Sequence, residues 1–418
     1  MIFADILSAT ILFAVPLLLV ALGGMFSERS GVINIALEGI MIIGGLCSCL
    51  FLRFTDTLAI SATGNSVNAM LAAVPGQSVK ELVDAGFAYY FGQAYPQLAV
   101  LLAILIAGVA GVLFSMLLAV ASIKLKADQT IGGTALNMLA PALAVIVTWT
   151  IQGEAQTTIS IPKWVRISAE NLGLQASITE GFVGRLIFKA LYLTMPVAIL
   201  ILLLSILFLY KTKTGLRLRA CGEHPQAADS VGINVYRMRY LGVGISGFLG
   251  GIGGLAYTLA AGGGFASTVA GYGFLALAVM IFGNWKPLNI LFASLFFAFF
   301  RVLAFYSSSM PFLPNALGYG AGILIFMTVL IAVMKAILKA PSVTNVLSKV
   351  IIVCGIGIWA LCQVYPPYQF STLLDGIKSN EYIYLMLPYL VTMIVLIITS
   401  KKSRAPKAEG IPYDQGGR

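Results

Sequence analysis

Long apolar runs of membrane-spanning length alternate with short polar stretches along almost the whole chain. Windows of about 20 apolar residues, enough for a helix to cross a bilayer, recur near 3–25, 32–52, 97–123, 130–151, 186–210, 239–261, 268–284, 288–308, 317–338, 347–365 and 383–400. The window 268–284 is the weakest because it opens with Gly271 and Gly273, and a re-entrant helix is the alternative there. The pattern predicts an all-α polytopic membrane protein with about 10–11 transmembrane helices.

One polar, arginine-rich stretch of about thirty residues interrupts this pattern, at 211–240, KTKTGLRLRACGEHPQAADSVGINVYRMRY. Pro225 at a first helical position and Gly232 at a closing position predict a short helix between them. Arg217, Arg219, Arg237 and Arg239 flank this helix and are expected at the level of the lipid headgroups. A partner-docking surface and an ordinary amphipathic connector both fit this composition.

Composition and charge support a membrane location. Hydrophobic residues make up 59% of the 418 residues and charged residues 10%, and mean hydropathy is +0.95. The net charge of +10 reflects Lys and Arg concentrated on one side of the predicted bundle, which the positive-inside rule makes cytoplasmic, so nucleic-acid binding is not expected. We therefore divide the chain into a transmembrane domain, 1–400, containing the cytoplasmic segment 211–240, and a cytoplasmic tail, 401–418.

Signals of catalysis, metal binding and cofactor binding are missing from the sequence. His224 is the single histidine, the five cysteines lie mostly in apolar runs, and no Walker A pattern occurs. GVGISG at 242–247 fits a dinucleotide-binding pattern, but it lies inside a predicted span and no strand precedes it. Its neighbours instead pair as Gly247 with Gly251 and Gly250 with Gly254, which permits close helix packing. We predict no catalytic residues, no metal and no cofactor.

Four polar residues inside or beside predicted spans are candidates for a transport path. Asn34 and Glu38 lie four residues apart on one helix face, and Gln129 and Asn137, eight apart, share another. Glu38 is the one acidic residue placed well inside a span, where an ionisable group needs a partner or a wet cavity. Two interpretations stay open for all four: a polar lining of the path or its gate, and hydrogen bonds between helices.

Several stretches resemble a known family. They are PLLLVALGGMFSERSGVINIALEGIMIIGG (16–45), DQTIGGTALNM (128–138), TGLRLRACGEHPQAADSVGINVYRMRY (214–240), GFLGGIGGLAY (247–257), GYGFLALAVMIFGNWKP (271–287) and the ending IPYDQGGR. Together they resemble permease subunits of bacterial ATP-binding-cassette importers of the branched-chain amino acid, sugar and nucleoside group. The similarity is strongest to the second of the two permeases in nucleoside importers. The segments between spans on the outer side and the helices after 340 are longer than in typical members.

The resemblance implies partners and roles. It implies that 211–240 is the coupling segment for a cytoplasmic ATPase, with contacts from Gly222, Glu223, Pro225, Ala227, Ala228 and Gly232. The other expected partners are a second permease forming a heterodimer, an extracytoplasmic substrate-binding lipoprotein and the lipid of the bacterial cytoplasmic (inner) membrane. A nucleoside is the expected cargo, with riboflavin or a simple sugar as alternatives.

Two other classes of protein compete with this interpretation. A secondary transporter should carry several intramembrane acids around an ion site, and the sequence offers one candidate, Glu38. An intramembrane enzyme should carry a nucleophile with its base or a set of metal ligands, and neither is evident.

Overall fold

The computed structural model describes residues 2–63, 96–153, 157–167, 191–306 and 405–414. The α-helices within these ranges are α1 (Ile2–Arg29), α2 (Leu37–Thr63), α3 (Pro96–Ala119), α4 (Gln129–Gln152), α5 (Thr194–Lys211), α6 (Lys213–Glu223), α7 (Pro225–Ser230), α8 (Val235–Ala261), α9 (Tyr272–Phe282) and α10 (Pro287–Tyr306). A π-helical turn, Val120–Lys124, extends α3, and a short 3₁₀ turn spans Lys163–Val165.

The all-α membrane architecture predicted from the sequence is confirmed. Within the described ranges, six helices are long and apolar enough to cross a bilayer: α1, α2, α3 with its π-helical turn, α4, α5 and α8. Each coincides with a predicted window, although α1 continues to Arg29 where the sequence suggested an end near residue 25. The windows at 317–338, 347–365 and 383–400 lie outside the described residues.

Most of the described residues belong to one compact unit, formed by residues 1–299 and 391–418, while 300–390 form a second. In the first unit α8 is the central helix and packs against α1, α2 and α3. Buried apolar side chains from these helices form a continuous core, and most of the surface of α4 and α5 is exposed. Exposed apolar side chains on α4 and α5 suit contact with lipid or with another apolar surface.

Glycines allow α8 to approach its neighbours at backbone distance, as the small-residue pattern predicted. A Cβ on Gly251 would overlap the carbonyl oxygen of Ala107 on α3, and one on Gly254 would overlap that of Met41 on α2. The Gly247–Gly251 face therefore meets α3, and the Gly250–Gly254 face meets α2. Without side chains in the way, van der Waals contact between the backbones stabilises the bundle.

Two breaks in helical structure position the candidate site. Residues 30–36, here called the α1–α2 connection, are non-helical. The second break, residues 262–271, begins at Gly262, whose φ of +70° ends α8, and finishes at Gly271, which precedes α9. With 11 residues, α9 is about 16 Å long and cannot cross the roughly 30 Å hydrocarbon core, in agreement with the re-entrant alternative.

The polar stretch 211–240 and the C-terminal residues 405–414 lie at the same end of the bundle. The amide of Ala408 donates a 2.9 Å hydrogen bond to the carbonyl of Gly222. The end of α1 reaches the same region, because a Cβ on Gly222 would overlap the carbonyl oxygen of Arg29. We call this the coupling end. Elsewhere, residues 157–167 meet the loop after α8 through a two-residue bridge between Ile159 and Phe265.

We expect the Gly251→Ala substitution to destabilise the bundle, and Gly244→Ala, on the same helix, to be tolerated. The added methyl at Gly251 meets fixed backbone of α3, whereas at Gly244 it lies 3.2 Å from the flexible end of Met116. Overpacking costs about 1–3 kcal/mol, and glycine-to-alanine exchange in a helix returns about 1 kcal/mol. Thermal unfolding of the two purified variants in the same detergent measures the difference. Equal melting temperatures would contradict the packing argument.

Candidate functional site

The α1–α2 connection brings non-helical backbone into the bundle interior. Asn34 donates a 2.8 Å hydrogen bond from Nδ2 to the hydroxyl of Ser246 on α8. Ser246 lies eleven residues into α8, or about 16 Å from its first turn at 1.5 Å per residue. Non-helical backbone at such depth in a membrane protein must find its hydrogen bonds within the protein or in a water-filled cavity. The side chains around the connection meet this demand.

Two amide side chains of α4 bind the backbone of the connection and the start of α2. Gln129 accepts a 2.7 Å hydrogen bond at Oε1 from the amide of Ile33. Asn137 donates to the carbonyl of Ile35 and accepts from the amide of Gly39, both at 2.8 Å. The predicted shared face of Gln129 and Asn137 is therefore directed at α2 and the residues before it. Gly133 lies between them, and its missing side chain lets α4 approach Ile35.

Glu38 caps the N-terminus of the short helix α9. Its two carboxylate oxygens accept hydrogen bonds from the amides of Gly271 at 2.8 Å and Gly273 at 2.6 Å. Gly271 has a φ of +79°, and no side chain of α9 itself caps the helix. A Cβ on Gly273 would overlap the backbone of Glu38, so glycine is needed for this approach. A negative charge at this position is favoured by the helix dipole and the free amides.

The four predicted path residues thus come together around the α1–α2 connection. Each makes a hydrogen bond to another element. This agrees with the second interpretation left open by the sequence, that these residues hold helices together. Within the described residues, Oδ1 of Asn34 and Nε2 of Gln129 are buried and have no protein partner. A role of the four residues in gating or solute contact stays a prediction.

Sequence reasoning missed a second polar cluster, at the end of α1. Glu28 is buried and accepts a 2.6 Å hydrogen bond from the indole nitrogen of Trp285, and Arg29 donates a 3.0 Å bond to the Trp285 carbonyl. Asn284 and Trp285 both have φ near +50°, an uncommon conformation for residues with side chains. The adjacent charges at the end of an apolar run were the available signal, but the expected helix stopped before them.

The short helix expected in the polar stretch is present as α7, with Pro225 in its first turn and Gly232, at a φ of +82°, just beyond its end. Its burial changes the set of residues offered to a partner. Pro225 and Ala228 are buried in this chain, where Ala228 packs with Cys221, Val235 and Tyr413, and Gly222 is buried against α1. The exposed surface consists of His224, Gln226, Ala227, Ser230, Val231 and Gly232, with Glu223 half-buried beside it.

Arg239 has partners that the sequence did not indicate. Its guanidinium was expected at the level of the lipid headgroups, and this depth stays a prediction. The side chain is 1% exposed and donates a 3.0 Å hydrogen bond to the carbonyl of Ile411. It also lies 5.9 Å from the centre of the Tyr413 ring. The C-terminal residues thus cover Arg239. The Ile411 carbonyl and the face of the Tyr413 ring take the place of the water that would otherwise solvate the guanidinium.

The electrostatics of the C-terminal residues reflect their contacts with the bundle. Burial, together with a hydrogen bond from its hydroxyl to the Asp229 carboxylate, raises the pKa of Tyr413 to about 12. Burial also raises the pKa of Glu409, whose carboxyl group lies beside that of Glu28. Lys126 forms a 2.9 Å salt bridge with Asp414, which raises the pKa of that lysine. Both side chains of this salt bridge are exposed, so the pair contributes little to stability.

A bundle of apolar helices with non-helical breaks inside it is typical of membrane transport proteins. Residues 6–354 match the family described as the permease component of branched-chain amino acid transport systems. The chain belongs to this family and is a permease of an ATP-binding-cassette transporter. In such transporters a separate subunit, not the permease, hydrolyses ATP.

Three relatives named as guanosine or nucleoside permeases are similar to this chain. The guanosine ABC transporter permease protein NupQ of Bacillus subtilis is 40% identical over 314 residues, covering 74% of this chain and 86% of the relative. The nucleoside ABC transporter permease protein NupC of Lactococcus lactis is 38% identical over 307 residues, covering 73% and 84%. NupB, a second nucleoside permease of that organism, is 34% identical over 104 residues, covering 24% of this chain and 29% of NupB. No solved structure matches the chain.

We expect Glu38→Ala to destabilise the site more than Glu38→Gln. Alanine leaves the Gly271 and Gly273 amides without their acceptor, which costs about 1–3 kcal/mol. Glutamine keeps one carbonyl oxygen for one of the two amides, so its loss should be roughly half as large. Thermal unfolding and co-purification with the transporter's other subunits measure the effect. Wild-type stability and assembly of Glu38→Ala would show that the cap contributes nothing.

Proposed function

We propose that this chain is one of two permease subunits of an importer that carries nucleosides into a bacterial cell. The observation that carries the proposal is α7, a short polar helix that is anchored by buried residues and exposes one face at an end of an otherwise apolar bundle. A rigid helix of this kind suits docking to a soluble partner. An ordinary connector would not need such anchoring.

The partner at α7 is the ATPase subunit. His224, Gln226, Ala227, Val231 and Gly232 form its contact surface, with Glu223 at the edge. Of the residues predicted to make this contact, Gly222, Pro225 and Ala228 hold α7 and α6 in place instead. The coupling end is then cytoplasmic, in agreement with the basic residues there, including Lys211, Lys213 and Arg217.

Contacts at the coupling end provide a route by which movement of the ATPase reaches the transport path. Displacement of α7 moves α6, whose Gly222 backbone lies directly against the carbonyl of Arg29. Arg29 is the last residue of α1 and is followed by the α1–α2 connection. Asn34, Gln129 and Asn137 hold the connection to α4 and α8, and Glu38 holds the start of α2 to α9. A shift at the end of α1 therefore changes the packing of these helices. We assign the gate to this region.

The nucleoside cargo rests on the relatives. Those named for guanosine or nucleosides are 40% and 38% identical, whereas a putative glucose permease of Haloferax volcanii is 28% identical over 321 residues. The second permease of the pair would correspond to NupB, and an extracytoplasmic binding lipoprotein would deliver the solute. The site argues against the rival secondary transporter, because both oxygens of Glu38 already bind backbone amides.

We expect a cysteine at position 227 to cross-link to the ATPase and one at position 228 not to do so. Both variants are made in a background without the five native cysteines. Ala227→Cys presents an exposed thiol. Ala228→Cys is the matched control, because position 228 is only 4% exposed. A short thiol-to-amine cross-linker applied to the assembled complex reports contact. Equal cross-linking of both variants, or of neither, would remove α7 from the ATPase interface.

For the cargo, we expect ATP-dependent uptake of radiolabelled guanosine by proteoliposomes holding this chain, its partner permease, the ATPase and the binding lipoprotein. Other unlabelled nucleosides should compete, while glucose and riboflavin should not. Vesicles loaded with a non-hydrolysable ATP analogue are the control. ATP-driven uptake of glucose or riboflavin with no guanosine transport would overturn the cargo assignment and leave the permease class intact.

A further inference from the structure

The C-terminal residues 405–414 contact the two parts of the coupling end that the transport cycle must link. In sequence they lie more than 150 residues from the residues that they contact on α6, α7, α8 and near the end of α1. Ala408, Glu409, Gly410 and Tyr413 are buried or half-buried. We call these ten residues the strap.

On one side the strap binds the coupling segment. The amide of Ala408 donates to the carbonyl of Gly222 at 2.9 Å, at the end of α6. Tyr413 packs its ring against Tyr236, with 5.3 Å between ring centres, and its hydroxyl lies near the Asp229 carboxylate of α7. These contacts hold the strap to α6, α7 and the first turn of α8.

On the other side the strap binds the end of α1 and the α1–α2 connection. The carboxyl group of Glu409 lies beside that of Glu28, the buried residue that binds Trp285. A Cβ on Gly410 would lie 2.8 Å from the side chain of Ile33, and one on Gly31 would lie 3.4 Å from the carbonyl of Ala408. Gly31 and Gly410 both have positive φ, so the two backbones pass each other where side chains would obstruct them.

We propose that the strap transmits movement of the coupling segment to the α1–α2 connection, and so couples ATP hydrolysis to opening of the gate. The inference rests on the proposed function. Apart from the strap, the coupling segment reaches α1 where the Gly222 backbone lies against the carbonyl of Arg29. The strap adds a further attachment between the coupling segment and the connection, which makes the two move together.

Arg239 fixes the strap between these two sides. Its guanidinium binds the carbonyl of Ile411, contacts the Tyr413 ring, and lies 3.1 Å from where a Cβ on Gly31 would be. With 1% of the side chain exposed, these contacts are sheltered from solvent, unlike the exposed Lys126–Asp414 pair. A buried charge that loses its hydrogen-bond partner is costly, so release of the strap is opposed throughout the cycle.

The test compares Tyr413→Ala, Tyr413→Phe and a chain truncated after Ser403, each in the complete reconstituted complex. Lys407→Ala, an exposed strap residue, is the matched control. Assembly, ATP hydrolysis and guanosine uptake are measured for every variant. We expect assembly and hydrolysis to persist while uptake per ATP falls at least about fivefold for Tyr413→Ala and the truncation, the lower end of typical coupling between sites.

Tyr413→Phe keeps the ring contacts with Tyr236 and Arg239 and loses the hydroxyl near Asp229, so its uptake per ATP should lie between wild type and Tyr413→Ala. Lys407→Ala should match wild type. Unchanged uptake per ATP in Tyr413→Ala would overturn the proposal, as would equal losses of assembly, hydrolysis and uptake, since these describe a structural brace. A wild-type complex that hydrolyses ATP without moving guanosine would instead contradict the proposed cargo.

Discussion

The need to hydrogen-bond every backbone group inside an apolar bundle governs the arrangement around the α1–α2 connection. A continuous helix would satisfy this need by itself, but the chain is non-helical from residue 30 to 36. Gln129 and Asn137 on α4 supply partners for the amide of Ile33 and the carbonyl of Ile35. The side chain of Asn34 in turn binds Ser246 on α8, and Glu38, at the start of α2, binds the first amides of α9. Polar side chains that a solute path could have used are therefore largely committed to the backbone.

This commitment also makes the connection responsive to its surroundings. Hydrogen bonds from the connection and the start of α2 reach α4, α8 and α9, so displacement of the end of α1 alters contacts to all three helices together. Packed networks of this kind adopt discrete alternatives more readily than they deform continuously. The glycine faces of α8 have the opposite effect, because they lock α8 to α2 and α3 at backbone distance. The tightly packed core around α8 and the coupling end, with its break in helical structure, are thus adjacent parts of one unit.

The coupling end combines short helices with deep anchoring. α6 and α7 are too short to be stable alone, and buried Cys221, Pro225, Ala228 and Val235 fix them to α8. The strap adds a further layer over Arg239. Local stability of the docking surface therefore comes from tertiary contacts, and the exposed residues of α7 are left free to set which partner binds.

The sequence by itself determined the membrane class, the positions of the long helices, the short helix starting at Pro225 and the glycine faces of α8. These features depend on local composition and periodicity, which a single sequence displays. Only the tertiary structure decided that Glu38 caps α9, that Gln129 and Asn137 bind backbone, that Ala228 is buried and that the strap covers Arg239. Each of these facts joins residues far apart in the chain. Glu38, Gln129, Asn137 and Arg239 bind backbone amides or carbonyls, which nearly every residue carries and which therefore leave no mark in the pattern of side chains.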